Sequence, residues 1–142
     1  MATATFTKFN SFTEALAEKV HNLGADTLKV MLTSVAPVAA NSVKADLVEI
    51  AAGNGYTAGG NTAGLTTSSQ TAGVYKLVLA DPALWTCVTA NMASFRYMTL
   101  YNDTATNKEL IGFWDFGQAV VLTPGDTFLH DFDPSTGVLT IT

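Results

Sequence analysis

Charge is scarce in this chain. Asp, Glu, Lys and Arg make up 13% of its 142 residues, about half the usual share. Arg96 is the one arginine, and there is no cluster of basic residues. Phosphate backbones are bound by Lys and Arg that neutralise them, so a direct nucleic-acid partner is not expected. The single cysteine, Cys87, excludes an internal disulfide and any multi-cysteine zinc site. It lies between Trp85 and Val88 in an apolar run and reads as a buried, inert thiol. No apolar run approaches the roughly 18 residues of a membrane span, so no membrane partner is expected. The opening residues, MATATFTKFN, lack the basic and apolar regions of a secretory signal.

What is present is apolar. Hydrophobic residues make up 48% of the chain, enough for one domain with a real core over residues 1–142. The mean hydropathy is positive. With so few charges, some apolar surface is expected to be covered in an assembly. Residues 1–76 balance five acids against five lysines, whereas residues 77–142 carry seven acids against Arg96 and Lys108.

The longest gap in charge runs from Glu49 to Lys76. It reads EIAAGNGYTAGGNTAGLTTSSQTAGVYK and holds six of the eleven glycines. Gly53, Gly55 and Ala58 fit a loose dinucleotide fingerprint, but GGNTAGLTTSSQTAG cannot open the helix that would meet a pyrophosphate. No acidic residue follows at the required distance, and no cofactor is expected. Residues 53–73 read as a Gly/Thr-rich loop. Glycine lets one backbone approach another, and threonine offers hydrogen bonds without the desolvation cost of a charge. The loop therefore suits either contact with another protein or packing on its own domain.

Elsewhere the pattern is mostly β. SFTEALAEKVHNLG is the helical exception: Ser11 and Glu14 make a capping box, Phe12, Leu16 and Val20 share a face, and Gly24 stands past the end. This predicts one amphipathic helix over 11–22, preceded by an N-terminal arm over 1–10. TLKVMLT places Leu28, Val30 and Leu32 on one strand face. SVKADLVEI reads as a short helix or an irregular strand. VYKLVLA and LWTCVTA flank the turn residues Asp81-Pro82. SFRYMTLYN and ELIGFWDFG alternate about the polar loop DTATNK, and AVVLT, TFLHDF and VLTIT are separated by turn chemistry. In SFRYMTLYN, Phe95, Tyr97, Thr99 and Tyr101 share a face. In ELIGFWDFG, Leu110, Gly112, Trp114 and Phe116 oppose Ile111, Phe113 and Asp115. Short strands without βα alternation indicate an all-β antiparallel sandwich or barrel with one short N-terminal helix.

Chemical motifs are few. His21 falls in the last turn of the expected helix, where a cation is favoured. His130 shares a face with Phe128 and Phe132. Both read as histidines satisfied within the fold, and no nucleophile elbow accompanies them. Asp131, Asp133 and the residues after them start like a calcium loop, but Thr136 occupies the glycine position and Thr142 the bidentate glutamate position. Turn chemistry accounts for them, with Asp126, without a metal. Trp85, Trp114, Phe113, Phe116, Tyr97 and Tyr101 read as core before they read as a carbohydrate platform. Neither catalysis nor a bound metal is expected.

FNSFTEALAEKVHNLGADTLKVMLT, EIAAGNGYTAGG, LYNDTATNKELIGFWDFG and GDTFLHDFDPSTGVLTIT together resemble a family of small proteins encoded beside the major capsid protein of tailed double-stranded DNA phages. EIAAGNGYTAGG and LYNDTATNKELIG are the most specific segments. The resemblance implies capsid decoration, or cementing, by a jelly-roll sandwich on the outside of the shell. It implies the major capsid protein as partner and the outer capsid surface as location, after synthesis in the host cytoplasm. It supplies no motif for shell-contacting residues. The arm and the neutral loop are the expected contact segments, with Phe6, Lys8, Phe9, Asn54, Tyr56, Thr57, Asn61 and Thr62 as candidates. A homo-oligomer is expected, a dimer before a trimer, because symmetry multiplies contacts without new sequence. A tail or receptor-binding accessory protein shares this composition and would show an exposed aromatic groove. A small enzyme would need a pocket holding His130 with a carboxylate at hydrogen-bond distance.

Overall fold

A computed structural model describes residues 4–142. Ten strands and one α-helix form an all-β sandwich with antiparallel sheets, as the alternation predicts. The strands are β1 (Thr5–Lys8), β2 (Leu28–Thr33), β3 (Asn61–Ala63), β4 (Leu65–Thr71), β5 (Val74–Leu79), β6 (Trp85–Thr86), β7 (Phe95–Asn102), β8 (Leu110–Val120), β9 (Thr127–Phe128) and β10 (Leu139–Ile141). The helix α1 is Ser11–Ala17, and Lys44–Asp46 form one 3-10 turn. A five-stranded sheet has the order β1-β8-β7-β2-β3, a three-stranded sheet the order β10-β5-β4, and β6 pairs with β9.

One core joins these sheets. Leu28, Val30 and Leu32 project from β2 toward Leu77 and Leu79 of β5, with Trp85, Phe95 and Trp114 in the same cluster. On the other face of the large sheet, Phe9, Met31, Tyr101 and Leu110 form a second, smaller cluster. Two clusters on opposite faces explain why β2 and β7 are buried almost throughout.

Helix α1 is shorter than the predicted 11–22. Its N-cap is Asn10, which places Ser11 inside the helix, and no side-chain capping bond forms. Termination falls at Lys19, whose φ of 65° is left-handed. The Val20 amide donates to the Ala15 carbonyl (2.8 Å) and the Lys19 amide to Leu16 (3.3 Å). That pair of bonds is a Schellman motif, which usually takes glycine at the position Lys19 occupies. His21 therefore lies outside the helix.

Two further expectations are corrected. Residues 5–8 of the expected arm form β1, paired with β8 from Thr5↔Asp115 to Lys8↔Gly112; residues 1–3 lie outside the described residues. The expected 53–73 loop contains β3 and all of β4, and β4 pairs with β5. Ala72 and Gly73, at φ of 51° and 84°, make the two-residue hairpin turn.

Candidate functional site: a pinned neutral segment and an aromatic cavity

The neutral segment is held by one carboxylate. Glu49 Oε1 accepts hydrogen bonds from the Tyr56 hydroxyl (2.6 Å) and the Gly59 amide, and Oε2 accepts from Lys44 Nζ (2.9 Å). The Tyr56 hydroxyl also accepts the Leu32 amide (3.1 Å), and the Tyr101 hydroxyl donates to the Gly59 carbonyl (2.7 Å). Burial pushes the Glu49 carboxyl up, but the bonds from Tyr56, Lys44 and Gly59 outweigh it and hold it below the usual range. Burial and the Glu49 charge push the Tyr56 hydroxyl far up, so it stays a donor. At Gly60, with φ of 71°, a Cβ would fall onto the Val30 carbonyl. The segment is thus anchored on its own domain through Tyr56, Gly59 and Gly60, with Gly53, Gly55, Thr57 and Ala58 exposed.

The candidate contact residues divide accordingly. Phe9 is fully buried and Tyr56 is 3% exposed, so neither is available to a partner. Phe9 fills the smaller core, and Tyr56 is the inner anchor of the segment. Phe6 is half-buried with its ring 4.9 Å from Trp114, above Gly112, where a Cβ would collide with it. Lys8 is exposed and donates to Thr13 Oγ1 (2.7 Å). Asn54 and Asn61 are half-buried and donate to the carbonyls of Asn91 and Ala83. Thr57 and Thr62 are exposed. The fold brings residues 54, 57, 61 and 62 onto one segment, and Phe6 and Lys8 lie on a different edge, β1.

The second feature is a cavity of about 500 Å³ lined by Phe6, Trp114, Phe116, Phe128, His130 and Phe132. The His130 ring lies 5.0 Å from Trp114 and 4.9 Å from Phe132, centroid to centroid. Burial pushes His130 down to about 4, against the opposing charges of Asp81 and Asp131. Its imidazole is neutral at physiological pH. Among the described residues, no hydrogen bond to His130 is formed, and no carboxylate comes within hydrogen-bond distance of it. Asp81 instead accepts the Phe132 amide (2.7 Å). The sequence marked His130, Phe128 and Phe132 as sharing a face, but Phe6 and Val138 reach this cavity from distant segments that no local pattern links.

Neighbouring polar groups are used locally. Asp133 accepts bonds from the Ser135 amide and hydroxyl and from Thr136, and Asp126 accepts from Thr123. His21 is buried, with Nδ1 3.1 Å from the Asn102 side-chain nitrogen, and burial lowers its pKa despite the charges of Glu109 and Asp26. It is not the exposed cation that a helix terminus favours, because the chain turns inward after Lys19 and stacks His21 on Phe12. Cys87 is free and buried. No described helix is long and apolar enough to cross a membrane.

No family model, curated protein or solved structure matches the chain.

Proposed function

We propose that this chain is a structural virion protein that decorates and cements a tailed-phage capsid by binding the outside of the major capsid protein shell. In this reading the sandwich is jelly-roll-like, works as a homo-oligomer and carries out no catalysis. The resemblance of EIAAGNGYTAGG and LYNDTATNKELIG motivates the proposal. The structural observation that supports it is the pinned neutral segment. Gly53–Gly60 is fixed from inside by Glu49, while Thr57 within it and Thr62 of the adjoining β3 remain exposed. A rigid, uncharged surface of this kind meets a partner with little ordering cost and no charge to desolvate. Val35, Val38 and Val48, each more than half exposed, add apolar surface.

The test is rebinding of purified protein to capsids stripped of it. Occupancy should change little between low and high salt, because the contact is neutral. Thr57→Glu with Thr62→Glu should lower occupancy at least about tenfold through desolvation of buried charge. Unchanged binding by the double variant, or a steep fall with salt, would remove the neutral segment from the contact.

The aromatic cavity favours a second reading, a tail or receptor-binding accessory protein. Its aromatic walls and neutral imidazole suit a neutral, partly apolar ligand such as a saccharide. A shift of tryptophan fluorescence on titration with neutral saccharides, abolished by Trp114→Ala, would support this reading over decoration.

A further inference from the structure

We infer that β4 is a self-pairing edge through which two copies of this chain join their three-stranded sheets into one six-stranded sheet. The inference rests on the reading of the neutral segment as a contact surface. Its test uses the purified chain alone, so it fails separately from the capsid assignment.

β4 ends its sheet, with β5 on one side and no strand on the other among the described residues. It is seven residues long, and every residue except Ser68 is exposed. The other described edge strands are shorter: β1 has four residues and carries Lys8, and β3 and β10 have three each. Natural edges are normally blunted by charge, proline or a bulge. LTTSSQT has neither charge nor proline, and its pairing with β5 is regular from Thr67 to Thr71. The one register shift lies at the far end, between Leu65 and Thr67.

Charge admits a second copy at this edge and opposes it elsewhere. The chain carries a net charge of −5, so most approaches between two copies bring like charges together. β4 lies in the one long stretch without charge, between Glu49 and Lys76. The nearest charge across the ladder is Lys76, opposite Ser69, and its Nζ turns the other way to donate to the Ser135 carbonyl (3.0 Å).

The hairpin sets the register. Thr71↔Val74 closes a two-residue turn and is therefore a hydrogen-bonded pair, so bonding alternates inward through Ser69 and Thr67. The amides of Ser68 and Gln70 then point outward, unpaired. An antiparallel two-fold joins Ser68 to Gln70 of the partner subunit, and Gln70 to the partner's Ser68. Ser69 then faces the partner's Ser69 at the axis, a small hydroxyl pair that suits close contact.

Ser69→Glu tests this directly. The new carboxylate replaces an exposed side chain of β4, which keeps the fold, and faces its own copy across the axis, which opposes association. Sedimentation equilibrium should show a dimer for the unmodified chain. Ser69→Glu should weaken association at least about tenfold, with circular dichroism and melting temperature preserved. Mixing Ser69→Glu with Ser69→Lys should restore dimers. The amides of Ser68 and Gln70 should exchange at least about tenfold more slowly at high protein concentration than at low. A strict monomer, a trimer, or a Ser69→Glu dimer as tight as the original would each overturn the inference.

Discussion

The Glu49 carboxylate accepts a 2.6 Å hydrogen bond from the Tyr56 hydroxyl, and this contact fixes the glycine-rich segment to β2. The same hydroxyl takes the Leu32 amide, so one side chain ties the loop, the carboxylate and the central sheet together. Glu49→Ala should destabilise the fold by about 2–3 kcal/mol, because the Tyr56 hydroxyl and the Gly59 amide lose their acceptor. The loss should depend on pH. A carboxyl held below its unfolded value contributes fully above the unfolded pKa, and that contribution fades as pH falls through the lower folded value. Denaturant melts should therefore show a full gap between the two proteins at pH 7 and a shrinking one below about pH 4.

Glycine is required at Gly60 by contact as well as by conformation. Gly60→Ala should cost about 3 kcal/mol or more, since a Cβ would meet the Val30 carbonyl at a left-handed φ. Gly117 offers the comparison: its φ is 84°, with nothing near a Cβ. Gly117→Ala should cost about 1 kcal/mol, the conformational part alone. Equal losses at the two positions would show that the Val30 contact is unimportant.

His130 makes stability fall in mild acid. Its folded pKa, about 4, is below that of the free side chain. The unfolded chain therefore takes up a proton first as pH drops from about 6.5, and stability is lost across the window down to about 4. Asp81 and Asp131 oppose this shift without cancelling it. His130→Phe removes the titration and keeps an aromatic ring. It should gain up to about 2 kcal/mol on the parent between pH 7 and pH 4.5, allowing for partial solvent screening. A gap that does not change with pH would place the imidazole in contact with water in the folded state.

The sequence was most legible where apolar residues alternate without interruption. Leu28, Val30 and Leu32 share the core as expected, and β5, β7 and β8 lie where the pattern places them. The structure departs from the pattern at backbone events that leave no trace in hydrophobicity. Lys19 adopts a conformation expected of glycine, so the helix ends before Gly24. In β8, Leu100 pairs with Gly112 and Tyr101 with Leu110, leaving Ile111 as an extra residue. That bulge puts Ile111 in the core with Trp114, although simple alternation sets the two on opposite faces. In β4, Thr, Ser and Gln show no apolar alternation, so the pattern predicts a loop, and β5 alone supplies the order. At the candidate site, the neutrality of the segment was visible. Its attachment was not, because Lys44, Tyr56 and Gly59 meet Glu49 only after the chain has folded back on β2.

On the proposed reading the chain sits on the outer surface of a capsid. The most direct measurement is an electron-microscopy map of the intact particle at a resolution that traces side chains. The decoration reading expects density for this sandwich on the outer capsid surface, with Thr57 and Thr62 turned toward the major capsid protein and Phe9 and Tyr56 enclosed within their own domain. Density for the chain confined to the tail, or a shell bare of it, would contradict that reading.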